Sequence, residues 1–151
     1  SKFMQLSQNF TLRELTKSQT AERKGIPNEP DQDQIDNMID LCDKILQPVR
    51  DEFGAVTVTS GYRSPELCVA IGSSVNSQHA KGEAADFEVA GVSNMVVAQW
   101  IADNLDFDQL ILECYTGGNT GWIHCSYAMN PRNEKLTYDK ANGYRHGLID
   151  G

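Results

Sequence analysis

Apolar residues in the first third of the chain recur at helical spacing. Between Asp31 and Phe53 they are Ile35, Met38, Ile39, Cys42, Ile45, Leu46 and Val49. The spacing predicts one main helix over this range, with Gly54 as its stop. Pro48 lacks the amide proton of an intrahelical hydrogen bond, so it predicts a kink or break near residues 44–47.

Shorter helices are indicated by their end signals. Thr11 begins a segment with capping-box spacing, and the segment from Ser18 to Lys24 ends at Gly25, where a left-handed cap suits glycine. Further along, Ser64 and Pro65 have the cap and first-turn proline of a short helix. We expect Gly72 to close that helix, whose predicted range is 65–71.

From residue 55 onward the pattern is mainly that of strands. Strands are predicted over residues 55–60, 84–89, 107–114 and 121–129, with a last hairpin about Asn142 and Gly143. A helix over residues 94–105, capped by Ser93, is predicted to turn an apolar side made of Met95, Val96, Trp100 and Ile101 inward. The turn-rich loop 115–120 favours an antiparallel hairpin. The fold class is α+β, with amino-terminal helices packed on a mainly antiparallel sheet in one domain over residues 1–151.

Charge and hydropathy exclude some classes of partner. The net charge is −8 and the sequence pI is near 4.7, so the field of the chain repels nucleic acid and anionic membranes. No stretch approaches a membrane span, and residues 1–6 lack the features of a signal peptide. We therefore expect a soluble monomer, made in the bacterial cytoplasm and not exported by the usual route, with no membrane insertion and no nucleic-acid partner.

Four cysteines occur, at positions 42, 68, 114 and 125. None forms a C-x-x-C pair, and a domain of this size does not need disulfides for stability, so we expect free thiols in a reducing compartment. Cys125 follows His124 directly, and neighbours on a strand point to opposite faces. Cys125 is therefore predicted to pack in the core and not to share a metal ion with His124.

The segment Ser77-Gln-His-Ala-Lys-Gly-Glu-Ala-Ala-Asp86 carries the most specific chemistry. His79 and Asp86 are seven positions apart, too far to share one ion on a helix or on an extended strand. Zinc holds each ligand at roughly 2 Å, so the two side chains can meet only if the chain turns back between them. Gly82 supplies a residue that permits such a turn.

A third ligand is available on a different predicted strand. Alternation places Trp122 and His124 on one face of that strand. Two imidazoles and one carboxylate leave the fourth position of a tetrahedral zinc site open for water, as hydrolytic sites require. Spacing alone leaves open the alternative that these histidines are ordinary hydrogen-bonded residues.

A family resemblance rests on five blocks in order. They are Phe10-Thr-Leu-Arg-Glu-Leu-Thr16, Gln47-Pro-Val-Arg50, Ser60-Gly-Tyr-Arg-Ser64, Ser77-Gln-His79 with Gly82 and Asp86, and Gly121-Trp-Ile-His-Cys-Ser-Tyr127. Together they resemble the zinc D-alanyl-D-alanine carboxypeptidase family in its phage and bacterial branch. The same fold and metal set recur in vancomycin-resistance dipeptidases, phage L-alanyl-D-glutamate peptidases and the amino-terminal signalling domain of Hedgehog proteins.

The resemblance implies roles for individual residues. His79, Asp86 and His124 match the ligands of one Zn²⁺ per chain. Arg63 matches an arginine that holds a substrate carbonyl or carboxylate, and we expect its partner to be that oxygen and not a group of the folded protein. Ser77 matches a substrate-contacting serine. Tyr62, beside Arg63, is a candidate substrate contact with a place in the core as the alternative.

The general base is less evident. Many relatives have an acidic residue three positions before the last histidine, and here that position is Gly121. The segment that ends in Glu113 resembles a Hedgehog strand, and antiparallel pairing would return Glu113 to the neighbourhood of His124. Glu113 is the predicted base, with Glu83 and Glu88 as alternatives. His146 matches no ligand and is predicted to be structural or exposed.

The activity implied by the resemblance is hydrolysis of peptide bonds in bacterial peptidoglycan stems. The enzyme would be of carboxypeptidase or endopeptidase type, and a phage or prophage lysin acting at the cell wall fits the expected absence of a signal peptide. The alternative is a zinc-bearing binding or structural module of the same fold. A base close to the ligands would favour the enzyme.

Overall fold

The computed structural model describes residues 3–150. Residues 1, 2 and 151, which belong to the predicted domain 1–151, lie outside the described range, and so does the start of the segment 1–6. The helices are α1 (Leu12–Thr16), α2 (Gln19–Lys24), α3 (Gln32–Leu41), α4 (Gln47–Phe53), α5 (Pro65–Ile71) and α6 (Asn94–Asn104). The strands are β1 (Gln5–Ser7), β2 (Phe10–Thr11), β3 (Val56–Ser60), β4 (Ala84–Val89), β5 (Gln109–Glu113), β6 (Trp122–Ser126), β7 (Glu134–Asp139) and β8 (Gly143–His146). A π-helical turn (Cys42–Leu46) and a 3₁₀ turn (Gln78–Lys81) complete the set.

The predicted main helix is interrupted where Pro48 requires it. The π-helical turn Cys42–Leu46 separates α3 from α4, and Pro48 lies in the first turn of α4. Pro48 has no amide proton and cannot donate an intrahelical hydrogen bond. The π-helical turn before it shifts the hydrogen-bond register by one residue, so the helix can continue past the missing donor. The predicted break is confirmed, and Gly54, at φ 99°, ends α4.

The predicted ends of the short helices are confirmed. The Thr11 side chain accepts from the Glu14 amide in a full capping box at the start of α1. At the start of α2, the Ser18 side chain accepts from the amide of Ala21. Gly25 closes α2 at φ 66°. These local hydrogen bonds satisfy amides that a short helix leaves unpaired, which is why the end signals were informative.

The six-stranded sheet has the order β3-β4-β6-β5-β7-β8. All neighbouring pairs are antiparallel except β5 and β7, which are parallel. The β5–β6 hairpin and the β7–β8 hairpin are both formed as predicted, with strands shorter than predicted. The fold class is therefore α+β with a mainly antiparallel sheet, as the sequence predicts.

One face of the sheet is covered by helices and forms the core. Fully buried sheet residues on this face include Ala85, Phe87, Leu110, Leu112, Ile123 and Cys125. They pack with Met38, Leu41, Ile45, Leu46 and Val49 of the interrupted helix and with Val97, Ala98 and Ile101 of α6. The predicted core position of Cys125 is confirmed, and all four cysteines are free thiols. Because side chains alternate, Asp86 and His124 lie on the opposite face, which we call the open face.

Two details of α6 correct the sequence prediction. Val97 and Ile101, four residues apart, define its buried face together with Ala98, so Val96 lies off this face and is 52% exposed. Its predicted place on the apolar side is wrong. Ser93 makes no capping hydrogen bond from its side chain, because its hydroxyl lies 3.1 Å from the hydroxyl of Tyr115.

Within residues 3–150, no helix combines the length and the apolar composition that a membrane span requires.

Candidate metal centre and active site

Two adjacent strands place Asp86 and His124 side by side on the open face. The register pairs Asp86 of β4 directly with His124 of β6. Directly paired residues in neighbouring strands point to the same face, about 5 Å apart. The His124 Nδ1 lies 3.0 Å from Asp86 Oδ1.

The turn that precedes β4 brings His79 to the same point. Ser77 caps the 3₁₀ turn by accepting from the His79 amide at 3.1 Å, and Gly82 ends it at φ 75°. Gly82 also packs closely, because a Cβ there would lie 2.5 Å from the carbonyl oxygen of Gln34. The chain thus turns back at Gly82, as the sequence predicts.

The orientation of the His79 ring is fixed by a backbone contact. His79 is 3% exposed, and its Nδ1 lies 2.8 Å from the Gly61 carbonyl oxygen. Because a carbonyl can only accept, Nδ1 carries the proton and Nε2 keeps its lone pair. That Nε2 lies 3.4 Å from Asp86 Oδ1.

The three side chains form a group of donors that fits zinc. Their ligand atoms all lie within 4.8 Å of one another. A tetrahedral ion with bonds of about 2.0–2.1 Å needs neighbouring ligand atoms about 3.3 Å apart. The distances from Asp86 Oδ1 to the two imidazole nitrogens, 3.0 and 3.4 Å, bracket that value. Two nitrogens and one oxygen are also the ligand types that hydrolytic zinc sites use.

Asp86 is ionised in this arrangement. Burial raises the pKa of its carboxyl, but His124 and His79, when their rings are protonated, lower it by more through hydrogen bonds and positive charge. The net pKa lies well below the usual range of an aspartate. A metal ligand must be deprotonated to bind, so the surroundings favour the binding form.

Arg63 holds the other oxygen of the same carboxylate. Its Nη2 donates to Asp86 Oδ2 at 3.3 Å, its Nε donates to Ser60 Oγ at 2.9 Å, and its Nη1 donates to Ser73 Oγ at 3.4 Å. The expectation that Arg63 has no partner in the folded protein is therefore wrong. Sequence reasoning missed Ser60 and Ser73 as its supports, although Ser60 begins the block in which Arg63 was recognised. The Arg63 side chain is 18% exposed.

Glu113 lies on the same open face as the ligands. Ile111 is paired with His124, and Glu113 is two residues further along β5, so its side chain points to the same side. Burial first, and then the charge of Asp86, raise its pKa, while His124, the Trp122 side chain as a hydrogen-bond donor, and Arg63 lower it. The net pKa is raised. The pairing that was predicted to return Glu113 to the neighbourhood of His124 is present.

The two alternative bases are placed differently. The Glu83 carboxylate accepts from Gln78 Nε2 at 3.3 Å, beside the turn that carries His79. Glu88 pairs with Thr57 and shares the face of Asp86, two residues further along β4. The charges that shift the pKa of Glu113 include those of Asp86 and His124, and Glu113 stays the predicted base.

The remaining predicted residues lie at the margins of the ligand group. Ser77 caps the turn of His79, and this structural role does not depend on substrate. Tyr62 is 3% exposed, and its pKa is raised by burial first and then by Asp31 of the α3 cap. Tyr62 thus packs in the core, which was the alternative to substrate contact. Substrate contact by Ser77 or by Tyr62 stays a prediction. His146 is exposed and pairs with Leu136, two strands beyond β5, so it is not brought to the ligands.

A polar cluster next to the ligands was not anticipated from the sequence. Asp108, 6% exposed, accepts from Arg132 Nε at 3.0 Å and Nη2 at 2.9 Å, and from Gln78 Nε2 at 3.0 Å. Gln78 immediately precedes His79, so the cluster anchors the 3₁₀ turn to the start of β5. Residues 108 and 132 lie far apart in sequence, and no local pattern connects them.

Comparison with known proteins identifies one protein family that matches this chain. A family model described as Peptidase M15 matches residues 8–126. The matched range contains the three ligands, Arg63 and Glu113, and it ends before β7 and β8. The search of curated proteins found no match.

Proposed function

The chain belongs to the peptidase M15 family, and we propose that it is a zinc-dependent peptidase that hydrolyses peptide bonds in the stem peptides of bacterial peptidoglycan. The observation that carries the proposal is the spacing of His79 Nε2 and His124 Nδ1 about Asp86 Oδ1, 3.4 and 3.0 Å. These two separations are close to the distance between neighbouring ligand atoms of a tetrahedral zinc ion. We further propose that the protein is a phage or prophage lysin that acts at the cell wall.

Zinc in such a site supplies Lewis acidity toward the scissile carbonyl and lowers the pKa of water. Glu113 is the proposed base in this reaction. Its raised pKa suits it to take a proton from the attacking water and to pass that proton to the leaving amine nitrogen. In the same exchange the water oxygen bonds to the carbonyl carbon, and the bond from carbon to nitrogen breaks.

Arg63 contributes a fixed positive charge. Three side chains hold its guanidinium, so it is oriented before substrate arrives. An arginine in that position stabilises the negative charge that develops on the carbonyl oxygen. It also lines a cavity of about 530 Å³ along the outer side of β3, with Thr59, Ser60 and Lys17. None of the three candidate ligands lines this cavity, and Arg63 is the residue that connects it to Asp86.

The position of Glu113 also bears on the alternative of a non-catalytic module. A module that only binds zinc needs no carboxylate with a raised pKa beside the ligands. Glu113 is such a carboxylate, and it supports the enzyme.

The test is incubation of purified peptidoglycan with the zinc-loaded protein, followed by mass analysis of the soluble fragments. We expect fragments with newly freed amino and carboxyl ends, and their masses identify the bond. Protein treated with a chelator, and zinc-loaded Glu113→Gln, serve as controls. Intact peptidoglycan after incubation with folded, zinc-loaded protein would contradict the proposal.

A further inference from the structure

The β7–β8 hairpin extends the open face of the sheet beyond the residues that the family model matches. The register pairs Glu113 with both Trp122 and Tyr138, and it pairs Tyr138 with Tyr144. Paired residues point to the same face, so these four side chains form one row across β6, β5, β7 and β8. We call it the aromatic row. It runs beside the row that carries Asp86 and His124.

The outer end of the aromatic row is a pair of tyrosines. The ring centroids of Tyr138 and Tyr144 are 4.6 Å apart and their planes are inclined by 46°. Tyr144 is 62% exposed. Burial of its phenol, the charge of Glu113 and then Tyr138 raise its pKa, so the tyrosine pair and Glu113 share one electrostatic environment.

Two carboxylates lie on the face that carries the aromatic row. Glu113 lies within it, and Glu88 is on the same face of β4, which pairs with β6. The nearby arginines are engaged elsewhere, since Arg63 pairs with Asp86 and Arg145 with Asp139. Aromatic faces beside carboxylates attract organic cations, because the face of a ring carries negative charge density.

We propose that the aromatic row is a substrate subsite for a primary ammonium group on a side chain of the peptide that is cleaved. The ammonium group packs against the rings of Tyr138 and Tyr144, and the carboxylate of Glu113 favours its charge. This inference rests on the proposed function and names the substrate feature that the same site selects.

The spacing of the strands gives the distance between this subsite and the chemistry. Tyr144 is two strands from Glu113, or about 10 Å at about 4.8 Å per strand. An extended peptide covers that distance in about three residues. The selected side chain is therefore expected within about three residues of the bond that is cleaved.

The test uses two synthetic stem peptides that differ only in one side chain, lysine in the first and Nε-acetyl-lysine in the second. Wild-type protein should cleave the lysine peptide with a kcat/KM roughly 5- to 30-fold higher, the range expected of a partly desolvated contact between a cation and an aromatic ring. Tyr144→Leu should remove this preference, because kcat/KM should fall further for the lysine peptide than for the acetylated peptide. Tyr144→Phe should keep the preference, because it retains the ring.

Two controls separate a contact from a loss of structure. Phe3→Leu changes another exposed ring, 74% exposed and outside the six-stranded sheet, and should leave both rates unchanged. Equal rates for the two peptides in the wild type would overturn the proposal. So would an equal loss on both peptides in Tyr144→Leu.

If neither peptide is cleaved by the zinc-loaded protein, the proposed function fails, and the subsite can still be tested by calorimetric titration with the same two peptides. Tighter binding of the lysine peptide, lost in Tyr144→Leu, would support the subsite. Equal binding of the two peptides would overturn it.

Discussion

Asp86 in β4 and Asp108, just before β5, are two buried aspartates, and each is held by an arginine. The donors to Asp108 are the Arg132 guanidinium, the Gln78 side-chain amide and the Arg132 backbone amide. None of these groups is a zinc ligand. Asp86 is bonded through Oδ2 to Arg63, while its Oδ1 faces two imidazole nitrogens. Burial and low pKa are common to both carboxylates. The chemistry of the partners is what makes one a candidate metal ligand and the other a structural anchor.

A third carboxylate extends the comparison. Glu113 has a raised pKa, whereas Asp86 and Asp108 have lowered ones. Carboxyl groups whose surroundings move their pKa values in opposite directions suit different tasks in one site. Asp86 suits metal binding and Glu113 suits proton transfer.

The largest expected effect is that of Asp86→Asn. Two imidazoles without the carboxylate bind zinc too weakly for it to survive purification, so zinc content should fall from about one per chain to background, and activity with it. Metal analysis and hydrolysis assays measure this. Asp108→Asn is the matched control and should keep its zinc. Full zinc retention in Asp86→Asn would show that the ion lies elsewhere.

Glu113→Gln should come next. The amide keeps the size of the side chain but cannot accept a proton, so activity should fall by ~100-fold or more while zinc content and melting temperature stay unchanged. Steady-state kinetics at saturating zinc decides the result. Undiminished hydrolysis would remove Glu113 from its role, and Glu83→Gln and Glu88→Gln would then identify the base.

Arg63→Lys and Arg132→Lys compare the arginine that holds Asp86 with the arginine that holds Asp108. Lysine keeps the charge but cannot bridge Ser60, Ser73 and Asp86 at once, so zinc affinity should fall by roughly 10- to 100-fold. Competition with a chelating dye measures it. Arg132→Lys should leave zinc affinity unchanged. Equal zinc affinities in the two variants would mean that the Arg63 contact does not orient Asp86.

Asp108→Asn should have the smallest effect, and only on stability. Loss of the charged hydrogen bonds to Arg132 and Gln78 should lower the free energy of unfolding by about 1–3 kcal/mol at neutral pH. The folded pKa of Asp108 is lowered, by Arg132 first, so its stabilisation is present above the unfolded value of about 3.9 and is lost as pH falls through the folded pKa. Denaturation at several pH values should show the two proteins converging in acid. A constant difference would contradict the assignment.

The sequence predicts the parts of this site that depend on local chain geometry. The turn at Gly82 and the alternation about His124 are local, and both led to the three predicted ligands. Ser60 lies only three positions before Arg63, but Ser73 and Asp86 come from separate segments that meet Arg63 only in the folded chain, so these two partners could not be predicted. The parallel pairing of β5 with β7 depends on strand order, which alternation does not encode.

The Asp108 cluster and the aromatic row depend on the same nonlocal pairing. Arg132 and Tyr138 reach the site only because β7 lies beside β5. The end signals of the short helices, by contrast, predicted their bounds well, because capping involves residues three positions apart.

The most direct test of a zinc peptidase at His79, Asp86 and His124 is a zinc titration of the metal-free protein with hydrolysis of peptidoglycan followed after each addition. Activity should be absent at the start, rise in proportion to added zinc and reach its plateau at one equivalent per chain, and Asp86→Asn should stay inactive throughout. Hydrolysis by the metal-free protein, or full activity in Asp86→Asn at one equivalent, would contradict the account.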